Sequence, residues 1–180
     1  LELEVLSSLT CAPGTIVKEV SNVERMLISG VAKDTDIARI SVVGVPDEPG
    51  LAFKMFSKLA AKDVNIDIIL QSIGRDGTKD IAFTCAKDKL NDAKEVINAF
   101  MPTLKAQKVV YDDDVAKVSI VGAGMESHSG FASKMFEALY NANINIQMIS
   151  TSEIKISVLI NTADADRAVA ALHAKFFDQH

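Results

Sequence analysis

The 180-residue chain says one thing twice, and an internal repeat restricts the possible folds more than composition can. "ARISVVGVPDEPGLAFKMFSKLAAKDVNIDIILQS", from Ala38, returns as "AKVSIVGAGMESHSGFASKMFEALYNANINIQMISTS" from Ala116. Ser41, Val43 and Gly44 match Ser119, Val121 and Gly122. Further along, Gly50, Lys54, Met55, Phe56, Leu59, Asn65, Ile66 and Ser72 match Gly130, Lys134, Met135, Phe136, Leu139, Asn145, Ile146 and Ser152. Only the loop changes length: "GVPDEPG" has seven residues and "GAGMESHSG" has nine. The two units therefore share a scaffold without sharing an identical pocket.

Periodicity converts each unit into elements. "RISVVGV" is short and β-branched, as a strand is, and from Ala52 the residues Met55, Phe56, Leu59 and Ala60 follow helical spacing. "NIDIILQS" reads as a second strand, "GRDGT" as a turn and "KDIAFTCA" as the third strand of a hairpin. Ala93, Val96, Ile97 and Phe100 share one helical face, Pro102 marks a stop, and "QKVVYDD" is a final strand. The order is β-α-β-β-α-β, the ferredoxin-like unit of the α+β class, with an antiparallel sheet and both helices on one face. Met55, Met135, Phe56 and Phe136 recur at helical spacing and belong to its cores.

In the second unit "KVSIVGA", "INIQMIS", "IKISVLI" and a helix through Ala168, Val169, Leu172 and Phe176 recur, but a fourth strand does not. "MLISGVA", at 26–32, is strand-like and has no role in the first unit. It is expected to complete the second, because an open sheet edge invites unwanted pairing. The expected organisation is a junction segment over 1–24, a first domain over 36–113, and a second domain made of 25–35 plus 114–180, with the first inserted in the second.

Several function classes are excluded by charge and hydropathy. With a net charge of −5 and no Trp, the chain lacks both the basic footprint and the stacking platforms that nucleic acid demands. Runs such as "IDIIL" fall far short of the roughly 20 apolar residues of a membrane helix, and no signal segment opens the sequence, so a cytoplasmic location is expected. Cys11 and Cys85 read as separate reduced thiols. The acidic triplet at 112–114 reads as a solvated linker, since consecutive carboxylates in extended chain do not converge on one ion. His128, His173 and His180 read as surface residues, His128 lying in the longer loop. Neither a metal nor a cofactor is expected, and no residues converge as a catalytic set.

The loop "VPDEPGLA" admits two readings: an ordinary strand-to-helix turn, or a binding loop that uses the unpaired N–H groups of a helix start. At this point the residues carry a resemblance. A β-α-β-β-α-β repeat with "VGVPDEPG" before the helix and "NIDIILQS" on the next strand resembles the amino-acid-binding ACT domain. "VVYDDDVAKVSIVGAGMESHSG", "NINIQMISTSEIKISVLI" and "AVAALHAKFF" resemble the paired ACT domains at the C-terminal end of aspartokinase, and "LEVLSSLTCAPGTIV" is similar to the junction leaving its kinase domain.

That resemblance implies an allosteric sensor of threonine or lysine for feedback inhibition of aspartate phosphorylation, with ATP and Mg confined to a kinase domain that these residues do not include. It also implies a kinase-bearing subunit or domain as partner, and a homodimer in which one chain's first unit meets another's second; pairing within the chain stays open. A start at Leu1 rather than Met fits an excised or processed regulatory region, with a separately made regulatory subunit as the other reading. The rival classes are a ligand-free dimerisation module of a metabolic enzyme and a ferredoxin-like enzyme.

A free amino acid presents a carboxylate and an ammonium close together. Gly50 allows close approach, Pro49 fixes the entry, the N–H groups of Leu51 and Ala52 suit the carboxylate, and Asp47 suits the ammonium. In a split βαβ unit the first and second strands run parallel, which brings Gln71 to the Asp47 end. If two units pair antiparallel through their second strands, Asn145 and Ile146 of the partner domain arrive there too. A second effector site would reciprocally combine Glu126, Ser127, His128, Ser129, Gly130 and Thr151 with Asn65 and Ile66. A compact pocket with Asp47 favours threonine, since lysine needs a further acceptor for its distant ammonium. Ser152 and Glu153 match a signature of the resembled family and are read as linking occupancy to the kinase.

Overall fold

The computed structural model describes residues 2–5, 15–18, 28–73, 77–123 and 130–178, the first two stretches as backbone alone. Strands β1 (Glu2–Val5) and β2 (Thr15–Lys18) form an antiparallel ladder of their own. The remaining elements follow as β3 (Gly30–Pro46), α1 (Leu51–Ala60), β4 (Ile66–Ile73), β5 (Thr78–Ala86), α2 (Leu90–Leu104), β6 (Lys108–Val121), α3 (Phe131–Asn141), β7 (Met148–Thr151), β8 (Lys155–Asn161) and α4 (Ala165–Phe177). The six strands from β3 on make one sheet, ordered β4-β5-β3-β6-β8-β7, with every neighbouring pair antiparallel.

Two strands serve both halves of the sheet. Positions 37–46 of β3 pair with β5, and 39–43 pair with 108–112 of β6, whereas 30–34 pair with 117–121 of β6. The first half therefore reads β6-β3-β5-β4 and the second β3-β6-β8-β7, which is the same fourth-first-third-second order in each. Residues 26 and 27 of "MLISGVA" lie outside the described residues, but from Gly30 the backbone continues without a break into "RISVVGV" as one 17-residue strand. The acidic triplet lies within β6 rather than in a linker loop, at the point where the pairing of β6 with β3 slips between the two halves: Asp112 stands opposite Arg39, and the Asp114 N–H donates to Asp112 Oδ1 at 3.1 Å. Arg39 Nη2 donates to Asp112 Oδ2 at 2.8 Å, and Asn161 Nδ2 donates to Asp114 Oδ2 at 3.1 Å.

Two further elements differ from the sequence reading. Helix α2 runs past Pro102, because a proline in the last turn forfeits only one donor; the helix ends at Lys105, φ 50°, whose N–H bonds the Met101 carbonyl at 3.0 Å. Strand β7 starts at Met148 rather than Ile144, although the Gln147 N–H still donates to the Leu159 carbonyl at 2.8 Å.

Each half has its own core beneath its helices. Ala38, Ile40, Val42, Ile81, Phe83 and Cys85 meet Met55, Leu59, Ile97 and Leu104 in the first. Val118, Ile120, Ile156, Val158 and Ile160 meet Met135, Leu139, Ala168 and Leu172 in the second. Burying each such large side chain stabilises by about 1.5–3 kcal/mol. Burial also pushes the Cys85 thiol pKa up, with the charge of Asp88 adding to it, so this sulfur stays protonated and unreactive; Cys11 lies outside the described residues.

A third cluster joins Ile37, Ile68, Val115, Met148 and Leu159, with Ala82 against them. By strand alternation these residues point away from the helices, and Ile68 and Met148 belong to the two outermost strands. In a flat six-stranded sheet those strands would lie about 24 Å apart. Val115 and Leu159 are fully buried on this helix-free face, and Lys117 of β6 reaches Asp67 of β4, three strands away, so the sheet is folded over with its helix-free faces packed on each other. Lys117 of β6 spans this seam, 2.5 Å from Asp67 of β4 and 3.3 Å from Asp34 of β3. Burial opposes its charge, but the hydrogen bonds and charges of Asp67 and then Asp34 outweigh that and raise the Lys117 pKa.

Candidate effector site

The loop between β3 and α1 is shaped by a kink one turn earlier. Gly44 has φ 72°, and the register of β3 against β5 slips between Val42 and Val45. There the Gly44 N–H donates to Asp80 Oδ1 at 2.8 Å and the Gln107 N–H donates to the Val43 carbonyl at 2.9 Å. A Cβ at position 44 would lie 2.5 Å from Gln107 Cγ, so glycine is required by both conformation and space. Beyond the kink Val45 returns to the core, and the Asp47 N–H donates to the Gly77 carbonyl at 3.0 Å, pinning the loop to the start of β5.

Gly50, φ 87°, then turns the chain into α1, whose first helical bond runs from the Lys54 N–H to the Gly50 carbonyl at 2.9 Å. The helix has no side-chain cap, which leaves the N–H groups of Leu51, Ala52 and Phe53 without intrahelical partners and with the positive end of the helix dipole. Leu51 itself is buried in the core and anchors that end.

Asp47 is paired rather than open: its Oδ1 lies 2.6 Å from Lys79 Nζ. Lys79 projects from the helix side of β5, opposite Val45 on one flank and Ile73 on the other. Gln71 lies two positions from Ile73 on edge strand β4, opposite Ile81, and is exposed. Asp47, Pro49, Gly50, Ala52 and Gln71 thus occupy one end of the first half, with Lys79 between Asp47 and the edge strand. Glu48 adds an outer contact, 3.6 Å from Lys105.

Asn145 and Ile146 lie just before β7, at the other outer strand. Asn145 is exposed and lines a hollow of about 360 Å³ with Tyr140, Asn143 and Ile144, while Ile146 packs against the second core. Among the described residues no hydrogen bond or ion pair joins them to Asp47, Gly50 or Gln71.

In the second half Glu126, Ser127, His128 and Ser129 lie outside the described residues. Gly130, φ 99°, opens α3 as Gly50 opens α1, Thr151 is exposed on β7, and Asn65 and half-buried Ile66 begin the β4 segment. Ser152 closes the β7–β8 turn, its N–H donating to the Lys155 carbonyl at 2.8 Å and its Oγ accepting from the Lys155 N–H at 3.2 Å; Glu153 is exposed within that turn. His173 is exposed and stacks on Phe177, and His180 lies outside the described residues.

Sequence reasoning missed Lys79, Asp80 and Gln107. A signal for Lys79 existed, because a lysine at 79 continues the core-facing parity of Ile81, Phe83 and Cys85 just where the strand leaves its turn.

Comparison with known proteins agrees with this architecture. The ACT domain pattern matches residues 40–100 and 118–176, one stretch in each half. An aspartate kinase of Stutzerimonas stutzeri is 46% identical over 176 residues, and an aspartokinase of Mycolicibacterium smegmatis is 48% identical over 179. Each match covers 97% of this chain but only 43% and 42% of the relative, so the chain spans less than half the length of those proteins. The ligand-free regulatory subunit of aspartate kinase from Thermus thermophilus superposes with a TM-score of 0.79 at 38% identity, covering 83% of this chain and 99% of that subunit. The chain belongs to the ACT domain family, and its residues correspond to the regulatory part of aspartokinases.

Proposed function

We propose that this chain senses an amino acid of the aspartate family, threonine first and lysine second, and transmits its occupancy to a cytoplasmic kinase-bearing subunit or domain as feedback inhibition. The observation that carries this reading is the carboxylate of Asp47 held beside the uncapped start of α1, next to an edge strand with exposed polar Gln71. An acceptor for an ammonium and donors for a carboxylate are the two fixed requirements of any free amino acid. Catalysis, with its ATP and Mg, belongs to the kinase part of the relatives.

The site is completed by a second copy. Strands β4 and β7 are the outer strands of the sheet and carry exposed Ile69 and Ile73 on one and Ile149 on the other, an arrangement suited to antiparallel pairing between chains. Such a homodimer brings Asn145 and Ile146 of one chain to Asp47 and Gln71 of another, and sets Asn65 and Ile66 against the loop that ends at Gly130. The strand exchange between β3 and β6 supports treating 36–113 as a unit inserted within one built from 25–35 plus 114–180.

Titration with threonine, lysine, methionine and isoleucine separates this from a ligand-free dimerisation module. A bound effector raises stability by RT ln(1 + [L]/Kd), about 2.7 kcal/mol at about 100 times Kd, and moves the melting temperature upward. Melting curves that stay flat through millimolar concentrations of all four would leave the dimerisation module as the better reading.

A further inference from the structure

Lys79 gives the first site a property that its counterpart lacks. In the first half Ile81 stands opposite Val42 and Gln71, and in the second Ile156 stands opposite Ile120 and Thr151. Two residues before each lie Lys79 and Ile154, so the position that holds an ammonium 2.6 Å from Asp47 holds an exposed isoleucine in the other unit. The Lys79 stem is held on β5 between Val45 and Ile73, and its side chain is 27% exposed against 55% for Asp47.

Resting on the effector reading above, we propose that Asp47 and Lys79 form a charge pair that opens to receive a zwitterion, Asp47 taking the ammonium and Lys79 the carboxylate of a free α-amino acid with an uncharged side chain. An ammonium arriving at Asp47 competes with Lys79, which already holds Oδ1, for a single negative charge. The lysine cannot withdraw far, because its stem is fixed in the sheet, and it then needs a new anion. The entering molecule brings one: its carboxylate sits one carbon from its ammonium. A simple amine offers no replacement and places two cations side by side, while a simple acid leaves Asp47 facing a second anion. A ligand with a cationic side chain also meets the field of Lys79, which is the chemical basis for preferring threonine to lysine here. The uncapped start of α1 adds donors to the same carboxylate but does not discriminate against amines by repulsion.

The test is calorimetry on the full chain with L-threonine and with L-threoninol, which keeps the ammonium and hydroxyl and lacks the carboxylate. The wild type, Lys79→Met and Lys79→Arg are compared, and the same ratio is read for L-lysine against cadaverine so that the choice of effector does not decide the outcome. In the wild type the amino acid binds and its carboxylate-free analogue does not compete. Lys79→Met lowers the amino acid's affinity about tenfold to hundredfold, the range for a lost charge-assisted hydrogen bond, and narrows the gap between the members of the pair. Lys79→Arg restores most of it. A residue with a purely structural role would change both affinities alike. If the wild type binds threonine or lysine and Lys79→Met leaves the ratio unchanged, the carboxylate assignment is wrong and the effector reading survives. If the wild type binds neither, both fall together.

Discussion

The two halves of this molecule are one fold with two different chemistries. Both have the same strand order, a left-handed glycine at the first helix start, a buried methionine at the matching helix position and a buried leucine one turn on. They diverge where the first strand meets its loop. In the first half Gly44 adopts φ 72° and its N–H bonds the Asp80 side chain; in the second the Gly122 N–H bonds the Ile154 carbonyl at 2.9 Å, an ordinary continuation of the ladder. The first half carries the ion pair of Asp47 and Lys79, and the second carries Ile154 in place of that lysine. A duplicated scaffold can thus keep its packing constant while its loops take separate ligands or separate tasks. Packing mutations should treat the halves alike, and loop mutations should not.

The largest effects test the shared part. Met55 and Met135 are both fully buried, so Met55→Ala and Met135→Ala should each destabilise by about 2–5 kcal/mol, with similar changes in denaturant midpoint. A large inequality between them would mean that the halves are not equivalent cores. The next largest effect divides them. Asp47→Ala and Asn145→Ala should each weaken threonine binding by roughly tenfold to hundredfold without lowering the melting temperature of the free chain appreciably. When the two variants exchange subunits, a site shared between chains predicts that some sites recover the original affinity by calorimetry. Proven exchange with no recovery would assign the site to one chain.

How much of this was legible beforehand follows from what a sequence can encode locally. The repeat and the 3.6- and 2-residue periods located α1, α3 and the strands, because Met55, Leu59, Ile81 and Phe83 each report a buried face without reference to anything distant. The fusion of "MLISGVA" with "RISVVGV" was not legible: the polar residues Lys33, Asp34, Thr35 and Asp36 interrupt the apolar pattern, and it is pairing with β6 on both sides of the slip, at Lys33 and Asp34 and again from Ile37, that carries the strand through them. The folded-over sheet was hidden for the same reason, since the contacts of Ile68 with its cluster lie far away in sequence. Within the candidate site, Asp47 and Gly50 were readable from turn chemistry. The parity of Lys79 was readable but its partner was not, because an ion pair between a loop and a strand more than 30 residues away depends on register, and the register slips at Gly44.

That slip supplies a smaller contrast. Gly44→Ala must place a side chain at positive φ, at a cost of about 1–2 kcal/mol, and must also push Gln107 aside. Gly122 is not at positive φ, so Gly122→Ala should cost less, and unfolding curves of the two variants measure the difference directly. Gly44→Ala should additionally weaken threonine binding, because Asp47 hangs from the strand that the kink redirects. Equal stability losses would show that the kink is incidental to the first half.

The smallest effect concerns what joins the halves rather than what separates them. Lys117 bridges Asp67 and Asp34 across the seam, and both carboxylates are more than a third exposed, so water screens the pair and Lys117→Met should cost no more than about 1 kcal/mol at neutral pH. Its pH dependence has a definite sign. The folded-state pKa of Lys117 is raised, so the folded chain holds this proton more tightly than the unfolded chain, whose lysines titrate near 10.4. The contribution is therefore fully present below the unfolded value, declines as pH climbs between the two, and is gone above the folded one. The stability gap between wild type and Lys117→Met should stay constant from pH 6 to about 9 and shrink in the alkaline range beyond. A gap that widened with rising pH would reverse the sign of the linkage and remove the ion pair as its source, leaving the apolar contacts of Ile37, Ile68, Val115, Met148 and Leu159 as what holds the seam.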